Sequence, residues 1–177
     1  SAASDVYKRQ AFDRAEERKI QLLKQNGFNA VRTSHNPMSE SFMSACDRLG
    51  MLVIDEAFDQ WKIKKNPEDY HLYFNEWSAR DIRSLVLRDR NHPSVIMWSI
   101  GNEIRERISD NGLKIAEDLK KEILKHDNTR PVTAGVNKYW DKDRKNMLSL
   151  EKAFRHLDVA GYNYMWRFYE EDHAKYP

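Results

Sequence analysis

The chain has 177 residues, 40% apolar and 33% charged, and its 30 basic and 28 acidic side chains leave a formal net charge of +2. That length suffices for one domain with a sizeable core but is short for an enzyme barrel, which usually needs about 250 residues. The near-balanced charge points to neither nucleic acid nor an anionic membrane as a partner. No stretch approaches the roughly 18 apolar residues of a membrane span, and the N-terminus lacks the apolar segment of a signal peptide.

In chain order, the spacing predicts a helix over roughly Phe12 to Asn26, with Ile20, Leu22 and Leu23 on its apolar side and Gly27 as its C-terminal cap. Strand FNAVRTS follows. A second helix over about Ser39 to Leu49 is closed by Gly50; it carries Phe42, Met43, Cys46 and Leu49 at helical spacing, which makes the single cysteine a buried helix residue rather than a nucleophile. Then comes MLVIDEA, in which Leu52, Val53 and Ile54 are expected to be buried on both faces. The third helix runs from about Phe74 to Arg90 and ends ahead of His92-Pro93, because the residue before proline disfavours helix. Strand SVIMWSIGNE is next. A fourth helix over about Gly112 to His126 leads through Thr129-Arg130-Pro131 into PVTAGV. A shorter helix near Leu148 to Arg155 precedes strand DVAGYNY, and Arg167 to Lys175 opens another helix.

Five strands with a helix between each successive pair describe parallel βα units in the α/β class. They fit either an open doubly wound sheet or a closed barrel. Every strand ends in polar chemistry: Arg32, Ser34 and His35; Asp55 and Glu56; Asn102 and Glu103; Asn137; Asn163 and Tyr164. A (β/α)8 barrel builds its active site at those ends. An open sheet would gather ligands at one switch point, and the glycine-rich phosphate loop expected there is absent. The expected fold is therefore an incomplete (β/α)8 TIM barrel.

Glu103 sits beside apolar Trp98 and Ile100, and shielding from water raises a carboxyl pKa toward the range a general acid needs. Asn102 cannot titrate, but its amide both donates and accepts, which suits it to hold a hydroxyl. Spacing alone fits equally a cap on the following helix. His35 can likewise hydrogen-bond a ligand or anchor a turn, whereas His92 in RDRNHPS is placed to organise a turn. Adjacent strand residues point to opposite faces, so only one of Asp55 and Glu56 can enter the lumen. Trp61, Trp98, Trp140 and Trp166 are core residues or sugar-stacking platforms, with Trp166 alone well placed to stack. The six histidines, at 35, 71, 92, 126, 156 and 173, form no zinc pattern such as HExxH, so no metal or other cofactor is expected.

In this order, NAVRTSHNP, LVIDEAFDQW, RDRNHPSVIMWSIGNE, TRPVTAG and DVAGYNY resemble the catalytic barrel of glycoside hydrolase family 2, which contains β-galactosidases, β-glucuronidases and β-mannosidases. The resemblance runs from about Ala11 to Pro177. It implies strands two to six of the barrel with their helices, and hydrolysis of β-glycosidic bonds by a retaining mechanism. It makes Glu103 the general acid/base and gives Asn102 the sugar 2-hydroxyl. It brings His35 to the substrate, Arg32 close to the nucleophile, Tyr164 into a hydrogen bond with that nucleophile, and Asp55 to the lumen floor. Some members hold magnesium through a Glu and a His just after the DEA motif; Gln60 and Lys62 stand there, and an ammonium cannot replace an imidazole ligand.

The resemblance also implies that the nucleophile lies beyond Pro177, so that the chain alone is expected to be inactive. SAASDVYKRQ, residues 1–10, fits neither the family's first strand nor a signal peptide and reads as a non-native leader. GYNY with YEEDHAKYP resembles the β-galactosidase-like branch. The partner expected for the parent protein is a small-molecule or oligosaccharide β-glycoside, not nucleic acid or membrane, and a homo-oligomeric parent is compatible with the family. Two alternatives stand beside this reading: a non-catalytic sugar-binding barrel, and a barrel piece that neither binds nor folds alone.

Overall fold

The computed structural model describes residues 12–137 and 148–175; the expected leader and Trp140 lie outside the described residues. Helix α1 spans Asp13–Gln25, β1 Ala30–Arg32, α2 Glu40–Leu49, β2 Leu52–Glu56, α3 Phe74–Asp89, β3 Val95–Asn102, α4 Asp110–Leu124, β4 Val132–Val136, α5 Leu148–Phe154, β5 Gly161–Tyr162 and α6 Tyr169–Lys175, with short 3-10 turns at Tyr70–Leu72 and Trp166–Phe168. The five strands form one parallel sheet in the order β1-β2-β3-β4-β5. Sequential parallel neighbours joined by helices are the unit of a (β/α)8 barrel, and the described chain is an incomplete one.

The helix boundaries follow from caps. Ser39 opens α2 by accepting the Phe42 N–H on its hydroxyl, and Gly50 closes it at φ 68°, a left-handed turn that costs glycine nothing. Helix α4 starts at Asp110, two residues before the expected Gly112, because the Ser109 hydroxyl accepts the Gly112 N–H at 3.0 Å. Gly112 lies inside the first turn, where a Cβ would come within 1.9 Å of the Glu106 carbonyl oxygen.

One apolar layer lies between the sheet and its helices. Ile20, Met43, Ile82, Val86 and Ile123 meet Val53, Trp98, Ile100 and Val132 there, all at most 1% exposed. Each such side chain contributes about 1.5–3 kcal/mol relative to an exposed one. Leu22, expected in this layer, is 42% exposed; two positions on from Ile20 it lies on the far side of α1. Cys46 is fully buried, and burial followed by the Asp47 charge pushes its thiol up to about 12, leaving it protonated.

The concave face differs. Val53 and Asp55 of β2 are fully buried against the helices, whereas Leu52, on the opposite face with Glu56, is 42% exposed. The expectation of burial on both faces fails at Leu52 because five strands leave the lumen face uncovered at that level. No helix among the described residues is long and apolar enough to cross a membrane.

Strand β3 is eight residues long against five in β2 and β4, and it carries one register shift against each neighbour. Against β2, Ile96 is extra between the pairs Val53–Val95 and Ile54–Met97. Against β4, Ile100 and Gly101 face one position, between the pairs Ser99–Thr133 and Asn102–Gly135. Bulges of this kind bend a strand and re-aim its side chains.

Candidate active site

The strand ends converge on the Arg32 guanidinium. Its Nη1 donates to Asn163 Oδ1 at 2.8 Å, its Nη2 to Asn102 Oδ1 at 3.0 Å, and its Nε lies 3.3 Å from Glu56 Oε2. Glu56 is fully buried and also accepts the Ser99 hydroxyl at 2.6 Å, while its Oε1 lies 2.6 Å from His35 Nδ1. A carboxylate this deep persists only because each oxygen has charged or strongly donating partners. Gly135 of β4 makes the approach possible: a Cβ there would stand 2.9 Å from Arg32 Nη1 and 3.0 Å from Asn163 Oδ1.

The second bulge of β3 delivers Asn102 to the same cluster. Ser99 faces Glu56 and the lumen, Ile100 is in the core, and the extra residue lets Asn102 turn back toward Arg32. Glu103 follows at φ 47°, a left-handed conformation uncommon outside glycine, fixed by its N–H donating to the Gly135 carbonyl at 2.6 Å. Its carboxylate Oε1 accepts from Asn163 Nδ2 at 3.0 Å, and the same amide nitrogen donates to Asn102 Oδ1 at 2.8 Å. Asn163 therefore ties the carboxylate to the neighbouring amide, and Arg32 sets which end of Asn163 faces them. Trp98, expected to shield Glu103, instead lies on the helix side, where its indole N–H donates to Asp127 Oδ2 at 3.0 Å.

Of the residues named from sequence, Arg32, His35, Glu56, Asn102, Glu103 and Asn163 come together around this cluster. Asp55 does not. It points into the helix layer, accepts the Thr33 hydroxyl at 3.3 Å, and faces Asp89; strand alternation holds, but Glu56 is the member of the pair on the lumen side. Tyr164 is 76% exposed at φ 61°, with its main chain turned sharply out of β5. Trp166 is 70% exposed with the Arg167 guanidinium 5.8 Å from its ring, whereas Trp61 is core. His92 holds a turn, its Nδ1 2.5 Å from Asp47 Oδ2. Asn137 is buried, its carbonyl accepting from Arg107 Nη2 at 2.9 Å.

Residues that sequence reasoning passed over include Ser99, Asp59 and Lys65, while Glu56 and Asn163 were expected only as polar residues at strand ends. Asp59 Oδ1 accepts from Asn102 Nδ2 at 3.0 Å and from Lys65 Nζ at 2.7 Å. Burial works to raise the Asp59 pKa, but the bonds from Lys65 and Asn102 and the nearby charges of Lys65 and His35 outweigh it and hold the carboxyl below its usual value. The donor set for a divalent ion after the DEA motif does not fit. Gln60 is buried, Lys62 contributes its backbone N–H to Glu106, and among the described residues no group of three His, Cys, Asp or Glu side chains could hold a metal.

Residues 7–175 match the profile of the glycosyl hydrolases family 2 TIM barrel domain. The chain belongs to glycoside hydrolase family 2. It is 44% identical to a β-galactosidase of Bacteroides ovatus over 85% of its own length and 21% of the relative's. It is 41% identical to a putative β-glucuronidase of Formosa agariphila over 71% of its length and 11% of that protein's. Among solved structures, a family 2 member from Bacteroides cellulosilyticus shares 52% identity with a TM-score of 0.86, covering 94% of this chain and 21% of that one. A β-glycosidase from Bacteroides vulgatus shares 36% identity with a TM-score of 0.77. This family 2 chain thus spans between about a tenth and just over a fifth of the curated relatives named here, and both bulges of β3 and the Arg32 cluster lie inside the matched stretch.

Proposed function

We propose that the protein carrying this chain hydrolyses β-glycosidic bonds with retention, most readily those of β-galactosides. The observation that supports it most is Glu103, a carboxylate with no ion pair among the described residues, held by Asn163 beside the Asn102 amide at the strand ends. Glu56, by contrast, is occupied by Arg32, His35 and Ser99. The match to a β-galactosidase over 85% of the chain supports galactosides over glucuronides.

In this reading Glu103 gives its proton to the glycosidic oxygen as the bond from that oxygen to the anomeric carbon breaks, and a second carboxylate forms a bond to the same carbon. Glu103, now ionised, takes a proton from water whose oxygen attacks that carbon and displaces the second carboxylate. The second group must stand about 5–5.5 Å away. The late carboxylates of the chain do not serve: Asp172 is buried and accepts the Tyr162 hydroxyl at 2.7 Å, and Glu170 and Glu171 share its helix. In this reading the second carboxylate is supplied by a part of the protein outside this chain, and the chain alone is inactive. Asn102 holds the 2-hydroxyl, and His35, whose side chain is 34% exposed, contacts the sugar from the β1 side.

The test is Glu103→Gln in the full-length protein, with β-galactosides of good and poor leaving groups and a matched glucuronide. Turnover of poor leaving groups should vanish while the first step on activated aryl glycosides persists, because those need little protonation. Equal loss on both would refute the acid/base role, and preference for the glucuronide would refute the sugar.

A further inference from the structure

The loop from Ala57 to Asp69 carries no periodic pattern, yet it is sewn to the catalytic strand. The Trp61 indole N–H donates to the Ile100 carbonyl at 2.8 Å, and Lys65 Nζ to the Asn102 carbonyl at 2.9 Å. Glu106 Oε1 accepts the N–H groups of Lys62 and Ile63 at 2.8 and 3.0 Å, and Asp69 Oδ2 those of Lys65 and Asn66 at 2.8 and 2.7 Å. These bonds fix where Asp59 can reach.

Asp59 reaches the Asn102 side chain. That amide has an oxygen with two lone pairs and a nitrogen with two hydrogens. Arg32 Nη2 and Asn163 Nδ2 occupy both lone pairs, at 3.0 and 2.8 Å, and Asp59 Oδ1 takes one hydrogen at 3.0 Å. A flipped amide would set its hydrogens against the donors of Arg32 and Asn163 and its oxygen against a carboxylate, so only one orientation is compatible with the neighbours. One N–H is left without a partner among the described residues. What Asn102 offers a sugar is therefore a donor, and the ligand hydroxyl must accept.

The geometry points to Asp59, held by Lys65, as a positioning residue that orients the Asn102 amide and presents its remaining N–H to the 2-hydroxyl of the sugar. The inference rests on the hydrolase reading above. Asp59 acts through Asn102. Lys65 acts through Asp59 and through the Asn102 carbonyl, and its ion pair with Asp59 keeps that carboxylate an acceptor.

The test compares the full-length wild type with Asp59→Ala, Lys65→Met and, as the reference, Asn102→Ala, on aryl β-galactosides with and without the 2-hydroxyl. Asp59→Ala should lower kcat/KM on the hydroxylated substrate by roughly 10- to 100-fold and leave the 2-deoxy substrate within about 3-fold, as expected for a misaimed group that one substrate does not use. Lys65→Met should act in the same sense but less. Equal loss on both substrates, which direct contact of Asp59 with another hydroxyl or simple loosening of the loop would give, overturns the inference, as does no loss on either. If Asp59→Ala does not fold, Asp59→Leu, which fills the space without an oxygen acceptor, must show the same dependence on the 2-hydroxyl. Calorimetric binding of galactose and 2-deoxygalactose separates the two claims. A wild type that binds without cleaving refutes the hydrolase reading and leaves the clamp to be judged by whether Asp59→Ala erases the affinity difference between the two sugars; one that neither binds nor cleaves refutes both.

Discussion

Replacing Asp55 by asparagine should flatten the dependence of stability on pH. Asp55 is fully buried, its Oδ1 accepts only the Thr33 hydroxyl, and its Oδ2 has no donor. It faces Asp89, itself fully buried and gripped by Arg88 through Nε at 2.7 Å and Nη2 at 2.6 Å, with His92 Nε2 4.0 Å from its Oδ1. Burial first, then the Asp89 carboxylate, raise the Asp55 pKa from 3.8 to about 8, against the weaker opposing effects of Arg88 and Thr33. A proton on Oδ2 directed at Asp89 satisfies the orphan atom. The folded state then keeps a proton that the unfolded chain has released at any pH between roughly 4 and 8, so this group's contribution to stability is complete below pH 4 and is lost as pH rises through 8. The slope is about 1.4 kcal/mol per pH unit. Asparagine offers an N–H to Asp89 and an oxygen to Thr33 without binding a proton. Urea unfolding of the full-length protein, followed by tryptophan fluorescence between pH 5 and 8, should show the wild type losing stability relative to Asp55→Asn at nearly that slope. Parallel curves would refute the shared proton.

Other expectations follow from single contacts. Asn163→Ala removes the donor to both Glu103 and Asn102 and should lower kcat/KM by roughly 10- to 100-fold with little change in melting temperature; a wild-type rate would show that Asn163 is not part of the machinery. Gly112→Ala should destabilise by about 1–3 kcal/mol in thermal unfolding, because its Cβ would collide with the Glu106 carbonyl that neighbours the loop anchor. The isolated chain should not cleave aryl β-galactosides, and turnover abolished by Glu103→Gln would sink that expectation. Native Cys46 should resist iodoacetamide until the protein unfolds, its thiol being buried and protonated.

The alternation of helices and strands was legible because each depends on local pattern: caps at Ser39 and Gly50, an apolar face along α4, polar residues where strands end. What escaped was set by contacts between distant segments. Choosing between Asp55 and Glu56 requires knowing which strand face meets Arg32 and Ser99, and Leu52 and Ile54 on one face look no different in sequence from Val53 on the other. Asp59 and Lys65 occupy an aperiodic loop whose anchors lie some 40 residues away, at Ile100, Asn102 and Glu106. Asn163 was visible as a strand-end amide, but its pairing with Glu103 spans 60 residues of chain. The bulges of β3 leave no local trace beyond the unusual length of its apolar run.

That length carries information as phase. Each bulge advances β3 by one residue relative to a neighbour, so the faces of the strand are read in one parity before Ile100 and in the other after Gly101. Substitutions along β3 change what a side chain does, but the bulge decides which side chains are read at all: were Ile100 and Gly101 both kept in a regular strand, each facing its own partner on β4, Asn102 would turn toward the helices and Glu103 would take its place against Arg32. The phase of the strand, and not the chemistry of Asn102 alone, is what places an amide in the lumen.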